Sequence, residues 1–221
     1  MTNHQQSLNK ASKLGRISRV LVCAGSLLLL NSCSSLLELV QPKLATDMAV
    51  FKSGDFQLDT AHSSLVFKVK HMGLSYFVGR FNQFDANLAF DATKPEQAKL
   101  GAVVDMTSLD VVDDDFEETI KSDEWLDTEK FPKAYFETSS AKQIDSETLI
   151  FNGNLTFLGV TKPVDVAVKF HGAGTNLLTY SYTIGFSAEM KFNRSDFGLD
   201  KYIPTVGDEI LIEVEAEFQR D

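Results

Sequence analysis

Few residues in this sequence are of types that could do chemistry at a useful spacing. Asp59, Ser63 and His71 supply the residue types of a catalytic triad, but they fall within one strand region, and no Gly-x-Ser-x-Gly elbow is present. His62 has no partners at metal-ligand spacing, and the aspartate run at 113–115 lacks the spaced ligands of a calcium loop. The sequence therefore predicts neither a catalytic site nor a metal site.

Two polar residues are better placed to contact a ligand. His71 shares one face of a predicted strand with three apolar residues, so the alternation points it inward. There it is either a core histidine bonded to a carbonyl or a tyrosine hydroxyl, or a contact to a ligand head at the end of an apolar tunnel. Arg194 follows the longest apolar run. It either pairs with Asp196 or Asp200 and fixes a loop, or holds a phosphate or carbonyl head.

These residues must be positioned by β-strands, because apolar and polar residues alternate with a period of two through most of the chain. The segment 210–218 shows this most clearly, with its apolar face set against a row of glutamates. The apolar parity switches at 82–83, which indicates a β-bulge. The segment 113–126 differs: three aspartates suit the start of a helix, and Phe116 and Ile120 share one helical face.

About eight such strands joined by hairpins indicate either a closed antiparallel barrel or a sandwich. The phenylalanine content favours the barrel. There are 17 Phe against one Trp and five Tyr, and this much apolar bulk without polar atoms needs a large interior or a ligand lining. Eight strands can enclose one small ligand.

The N-terminus has the features of an export signal. Residues 1–19 carry four basic side chains and no acid, and the apolar run at 20–30 is too short for a permanent bilayer-spanning helix of about 20 residues. Leu30-Asn31-Ser32-Cys33 resembles the bacterial lipobox, although Asn31 stands where Ala or Ser is usual. We expect cleavage before Cys33 and its lipidation; ordinary cleavage and an uncleaved anchor are the alternatives. The predicted organisation is a lipoprotein signal peptide at 1–32, a lipidated tether at 33–54 and a barrel domain at 55–221.

Charge and cysteine content narrow the classes of partner. The net charge is −10, and removal of the signal takes away four basic residues and no acid, so the mature chain is more acidic still. Nucleic acid and anionic headgroups are therefore poor partners, and membrane attachment is expected through the lipid on Cys33. Cys23 would leave with the signal, so no disulfide is expected. A mean hydropathy of −0.08 excludes a multi-span membrane protein.

Several short motifs occur in the order and spacing of a known family and together extend over about residues 55–220. They are Asp59-Thr60-Ala61-His62-Ser63 with Phe67 and His71, Gly79-Arg80-Phe81, Asp123-Glu124-Trp125-Leu126-Asp127 with Phe131-Pro132, Gly153-Asn154-Leu155-Thr156 with Gly159-Val160-Thr161, and Arg194-Ser195-Asp196-Phe197-Gly198-Leu199. On these residues the sequence resembles the YceI-like family. The resemblance implies an extended lipocalin-like barrel that encloses a long amphiphile, typically a polyisoprenoid. The lipobox departs from the family pattern, in which members are usually exported and soluble.

We therefore predict an all-β protein, an extended lipocalin-like antiparallel eight-stranded barrel with one short helix. It is expected to bind and sequester or carry a polyisoprenoid, a quinone or a fatty-acid-like amphiphile, with no cofactor beyond such a ligand. The residues expected to contact the ligand are Phe67, Val69, His71, Phe77, Phe81, Trp125, Tyr182, Phe186, Met190 and Arg194.

The expected location is the bacterial envelope on the periplasmic side. The outer membrane is mildly preferred, because Ser34 rather than Asp follows Cys33. Two other functions stay open: an enzyme acting on such a lipid with His71 as base, and an interaction protein accessory to a membrane electron-transfer system. A membrane cytochrome partner enters by association only, and a homodimer is also left open.

Overall fold

The computed structural model describes residues 43–220, which form an antiparallel β-barrel with one α-helix. Residues 43–175 and 180–220 belong to one compact unit. The helix α1 is Asp114–Lys121. The strands are β1 (Gly54–Leu58), β2 (Ser64–His71), β3 (Ser75–Phe81), β4 (Phe84–Phe90), β5 (Lys99–Asp105), β6 (Leu109–Asp110), β7 (Lys133–Gln143), β8 (Thr148–Phe157), β9 (Val160–Thr175), β10 (Tyr182–Asn193) and β11 (Val206–Arg220).

Eight strands close the barrel in the order β1-β4-β5-β7-β8-β9-β10-β11, and β11 pairs back with β1. The first half of β11 pairs instead with β2, which pairs with β3, and β3 pairs with β6. Each of β2, β3 and β6 is thus the continuation of a bent strand that starts or ends in the ring. The prediction of an eight-stranded antiparallel lipocalin-like barrel is confirmed.

The predicted parity switch at 82–83 is present, but it is a break between two strands and not the expected β-bulge. β3 ends at Phe81 and β4 begins at Phe84, and the two residues between them bond to the neighbouring segment that joins β5 to β6. The N–H of Asn82 donates to the carbonyl of Ser108 at 3.0 Å, and the N–H of Asp105 donates to the carbonyl of Gln83 at 2.9 Å. The break keeps the apolar side chains of both β3 and β4 pointing into the barrel. The two consecutive strands can therefore line different parts of its interior.

One end of the barrel, here the closed end, is packed solid. Met48 and Phe51 are 1 % and 4 % exposed and cover it from a 3-10 turn at Met48–Val50. The Phe51 ring lies 6.2 Å from that of Phe90 and 5.9 Å from that of Phe170. The strand ends opposite, at His71, Ser75, Phe157, Asn193 and Val206, form the open end.

The predicted tether at 33–54 is too long at its C-terminal side. Residue 45 already pairs with the barrel, since the N–H of Ala45 donates to the carbonyl of Ala173 at 2.9 Å, and Met48 and Phe51 belong to the core. Two isolated apolar anchors in an irregular segment leave no periodicity in the sequence, which explains the difference. The signal peptide and Cys33 lie outside the described residues.

The prediction of one short helix within 113–126 is confirmed. Asp113 caps α1 by accepting a hydrogen bond from the N–H of Phe116 at 2.8 Å, and the helix ends at Lys121. A side-chain pair between Lys121 and Glu117 at 2.6 Å supports it. Trp125 and Leu126 follow in a turn. Within residues 43–220, no helix has the length and apolar character that crossing a bilayer requires.

Candidate ligand cavity

A cavity of about 380 Å³ lies inside the open end of the barrel. Its volume falls within the range of about 300–1,000 Å³ that is typical of small-molecule sites. A smaller chamber of about 110 Å³ lies between it and the closed end. The two share wall residues, which are Leu65, Val104, Ala134, Leu155, Met190 and Ile212. Because Met is unbranched and flexible, Met190 is the wall residue best able to let the two spaces join.

The wall formed by β2 and β3 is aromatic. The ring of Phe67 lies 6.3 Å from that of Phe77 and 5.7 Å from that of Phe81. Phe67 can occupy this position because its register partner on β3 is Gly79. A Cβ built on Gly79 would come within 2.5 Å of the Phe67 ring and 2.8 Å of Val111. The glycine of the Gly79-Arg80-Phe81 motif therefore makes room for an aromatic wall.

Helix α1 covers the side of the cavity next to β3. Phe116 stacks edge-on against Phe77, with ring centroids 5.6 Å apart, and both line the cavity. Ile120, one turn later, is buried and also lines it. The predicted shared face of Phe116 and Ile120 is thus the face that α1 turns to the cavity. Trp125 and Leu126 continue this cover.

Polar side chains of the lining lie at the mouth of the cavity. His71 is the last residue of β2, opposite Val206 of β11 and Ser75 of β3. It lines the cavity but is solvent-exposed. No group among residues 43–220 forms a hydrogen bond with its ring, so the exposed ring can bond a ligand head. A ligand with an apolar tail inside would present its head here.

Arg194 also lines the cavity, yet it is only 2 % exposed and its donors are engaged. Its Nε donates to the carbonyl of Gly207 and its Nη1 to that of Leu199, both at 2.8 Å. Its Nη2 donates to the carbonyls of Lys201 and Val206, both at 2.9 Å. Four of five N–H groups thus hold the loop between β10 and β11. The partners are backbone carbonyls and not the carboxylates of Asp196 and Asp200 that the sequence suggested.

The electrostatics of this loop fit a structural cation. Burial lowers the pKa of Arg194 from its ordinary value, and the charges of Asp208 and Asp200 partly oppose this shift. Arginine keeps its charge under such conditions. Asp208 also accepts hydrogen bonds from the N–H and the hydroxyl of Ser195, at 2.9 and 2.7 Å. Arg194 and Asp208 therefore hold the start and the end of the loop between β10 and β11 together, beside the mouth of the cavity.

The structure brings most of the predicted contact residues together. Eight line the cavity: Phe67, Val69, His71, Phe77, Phe81, Trp125, Met190 and Arg194. Phe186 lines the smaller chamber, which it shares with Met190. Tyr182 lines neither space. It lies near the closed end, where its hydroxyl accepts a hydrogen bond from the N–H of Lys52 at 3.1 Å and its ring packs 6.4 Å from Phe56.

Other wall residues were not singled out from the sequence. They are Leu65, Tyr76, Val104, Met106, Phe116, Ile120, Leu126, Ala134, Leu155, Phe157, Phe192, Leu199, Val206, Ile210 and Ile212, together with Ser75. The parity of β8 and β11 already placed Leu155, Phe157 and Ile212 inward. What the sequence lacked was the position of the cavity along the barrel axis.

The structure does not assemble the residues of a triad. Ser63 precedes β2 and His71 ends it, so they are separated by the length of an eight-residue strand, roughly 24 Å. The hydroxyl of Ser63 donates to the carbonyl of Asp59 at 2.8 Å and accepts from the N–H of Glu217 at 3.2 Å. These bonds give Ser63 a role in the bend between β1 and β2.

The statement that His62 has no partners at metal-ligand spacing is wrong. Ligand atoms of Asp59, His62 and Glu217 lie within 4.8 Å of one another. The fold explains this cluster without an ion. Asp59 caps the 3-10 turn Thr60–His62, bonds the His62 ring at 3.0 Å and accepts from the amide of Gln219 at 2.6 Å. The hydrogen bond with His62 lowers the pKa of Asp59, and the same bond raises the pKa of His62.

Comparison with known proteins identifies the family to which this barrel belongs. The family model described as the YceI-like domain matches residues 56–218. The chain belongs to the YceI-like domain family. A UPF0312 protein of Shewanella oneidensis is 38 % identical over 164 residues, which cover 73 % of this chain and 84 % of the relative. A UPF0312 protein of Azotobacter vinelandii is 32 % identical over 174 residues, covering 79 % and 87 %.

Three solved structures share the architecture of this chain. BcnA of Burkholderia cenocepacia superposes with a TM-score of 0.66 at 25 % identity, covering 72 % of this chain and 98 % of BcnA. A Campylobacter jejuni YceI protein gives 0.63 at 26 % identity, covering 69 % and 90 %. A polyisoprenoid binding domain from Saccharophagus degradans gives 0.57 at 14 % identity, covering 77 % and 100 %, and so shares the fold.

Proposed function

We propose that this YceI-like protein binds an apolar amphiphile, with the tail in the open-end cavity and the head at the mouth. The single observation that carries the proposal is the distribution of polarity along the cavity. Its walls are aromatic and aliphatic, while the exposed polar side chains of the lining, His71 and Ser75, stand at the mouth. A molecule with one apolar part and one polar end matches this distribution.

The energetics favour binding without special polar chemistry. Each CH₂ group moved from water into an apolar space contributes about 0.8 kcal/mol. A chain of about a dozen carbons would supply on the order of 10 kcal/mol before the cost of ordering the ligand. The affinity then comes from burial of the tail against the cavity walls, and the polar residues at the mouth determine which head group is preferred.

A polyisoprenoid, a quinone and a fatty-acid-like molecule are the ligand classes that fit. The resemblance to the YceI-like family supports the first, as does the shared fold with the polyisoprenoid binding domain from Saccharophagus degradans. Tails longer than the cavity would reach the smaller chamber by displacing Met190. We favour carriage or sequestration over catalysis, because no group among residues 43–220 bonds the His71 ring to orient it as a base.

Native mass spectrometry of the protein purified from its own cells tests this proposal. We expect a bound species with the mass of a long-chain amphiphile, which organic extraction releases unchanged. A compact protein without any bound lipid would contradict the proposal. Conversion of the lipid into a product, abolished by His71→Ala, would replace it with the enzymatic alternative.

We further propose that the protein acts in the bacterial envelope, attached through lipid on Cys33. The lipobox-like segment supports this. In Cys33→Ser the barrel should fold normally and leave the membrane fraction for the soluble fraction. A variant that stays in the membrane with its signal peptide attached would mean that lipidation at Cys33 is the wrong interpretation.

A further inference from the structure

The hairpin between β2 and β3 carries exposed apolar side chains at the mouth of the cavity. Met72, Leu74 and Tyr76 are 58 %, 85 % and 51 % exposed. Beside this hairpin, Tyr202 and Ile203 of the loop before β11 are 60 % and 37 % exposed. We call these five residues the docking tip. They belong to one surface, because the N–H of Met72 donates to the carbonyl of Thr205 at 2.7 Å.

The hairpin also differs from the rest of the chain in charge. The stretch 64–83 contains Lys68, Lys70, Arg80 and His71 and no acidic residue, in a protein with 31 acidic and 21 basic residues. Lys68 and Arg80 pair with Glu213 and Asp110 on the outer wall. Lys70 has no such acidic partner in the described range and lies over the ring of Tyr76 at 4.7 Å. The hairpin side of the docking tip is therefore apolar with a cationic flank. On the other side, Asp200 precedes Tyr202 and Lys201 is paired with Glu124, so no free cation among residues 43–220 flanks that side.

The hairpin at the closed end shows the opposite charge. The turn between β7 and β8 also exposes a large apolar residue, Ile144, at 53 %. Asp145 and Glu147 follow it directly. Apolar exposure alone thus does not distinguish the two ends. Positive charge distinguishes the docking tip from the β7–β8 turn. The closed-end segment 43–52 also exposes Leu44 and Val50 beside two lysines, and the docking tip differs from it in being continuous with the cavity.

We infer that the docking tip seats on the surface of a lipid bilayer containing anionic phospholipids, so that an amphiphile can pass between the bilayer and the cavity. The chain as a whole is acidic and therefore a poor partner for anionic headgroups, but the β2–β3 hairpin carries no acidic residue. Its apolar side chains flanked by a cation suit the boundary between acyl chains and anionic headgroups. The surface is also continuous with the cavity, since Tyr76 lies both in the docking tip and on the cavity wall. The contact is confined to this side of the mouth, because α1 begins with the acidic residues 113–115.

The route for the ligand rests on the proposed function, but the docking itself does not. Suppose that vesicles slow hydrogen exchange in the docking tip but the purified protein holds no bound amphiphile. The docking inference would then be supported and the proposed function contradicted. A bound amphiphile with no effect of vesicles on the tip would do the reverse.

Hydrogen exchange of the full chain, with and without vesicles of phosphatidylcholine and phosphatidylglycerol, tests the docking tip locally. We expect slower exchange in the β2–β3 hairpin, unchanged exchange in the β7–β8 hairpin, and weaker protection at high salt. Leu74→Asp should raise the vesicle concentration needed for half-protection about tenfold or more. Ile144→Asp is the matched control and should leave it unchanged. Lys70→Glu should weaken docking with the apolar residues intact.

Three results would overturn the inference. In the first, vesicles bind the chain but leave exchange at the β2–β3 hairpin unchanged. In the second, both hairpins are protected equally, so that the contact is not specific to the mouth. In the third, protection appears without vesicles and grows with protein concentration, which would assign the surface to a second copy of the chain.

Discussion

The two ends of the barrel use the same residue type in different ways. At the closed end, Phe51, Phe90 and Phe170 are at most 4 % exposed and their rings contact one another. At the open end, Phe67 and Phe77 are only partly buried and their rings border a space of about 380 Å³. The strand alternation that turns Phe90 and Phe170 inward is the same as that which turns Phe67 and Phe77 inward. Whether it meets another ring or a cavity depends on what covers that end.

The largest expected effect separates packed from cavity-lining phenylalanines. Phe170→Ala should destabilise the protein by about 3–5 kcal/mol, because it leaves a cavity where the Phe170 ring packs against three neighbouring rings. Phe77→Ala only widens an existing cavity and should cost about 1 kcal/mol or less. Urea denaturation of both variants measures this. Equal losses would show that the open end is as tightly packed as the closed end.

A second pair of variants sharpens the difference within the mouth. Arg194→Ala should cost about 3 kcal/mol or more, since four carbonyls lose a buried charged donor. His71→Ala should leave stability unchanged and reduce the affinity for amphiphiles with a polar head by roughly ten- to a hundredfold. Affinity for a plain hydrocarbon is the control and should stay constant. Loss of hydrocarbon binding in His71→Ala would assign that residue to the fold.

Two glycines test how the aromatic wall is built. Gly79→Ala should push the Phe67 ring from its place, cost about 1–3 kcal/mol and reduce the capacity for ligand. Gly185→Ala is the matched control, because its Cβ would meet no atom within 4 Å. Thermal unfolding and ligand titration report both effects. If Gly79→Ala behaves like Gly185→Ala, the close approach to Phe67 does not constrain the wall.

The smallest effect belongs to the bend that joins the two ends. The pKa of His62 is raised from 6.5, so the pair contributes fully below that value and the contribution is lost as the pH rises through the raised pKa. The pKa of Asp59 is lowered from 3.8, so its contribution is present above 3.8 and is lost as the pH falls through the lowered value. His62→Gln should therefore reduce stability slightly at about pH 5.5 and hardly at about pH 8. The reverse order would mean that the pairing has been misassigned.

The sequence predicts the architecture well because alternation, turns and the parity switch are local signals. Strand β11 and the break at 82–83 are clear examples. The packing of Met48 and Phe51 has no local signal, since both lie in an irregular segment whose partners are far along the chain. Arg194 is similar: its charge suggested a carboxylate or a ligand head, but the loop folds four carbonyls around it. Long-range contacts of this kind can be read only from the structure.

The central claim is that the tail of an amphiphile lies in the open-end cavity, and photo-crosslinking tests it most directly. A fatty amphiphile with a diazirine in its tail is bound to the full chain, irradiated, and its adducts are mapped by peptide mass spectrometry. We predict adducts on the cavity walls, such as Phe67, Phe157 and Met190, that unlabelled amphiphile prevents. Adducts on the outer faces of the strands, or labelling that unlabelled amphiphile does not reduce, would contradict the claim.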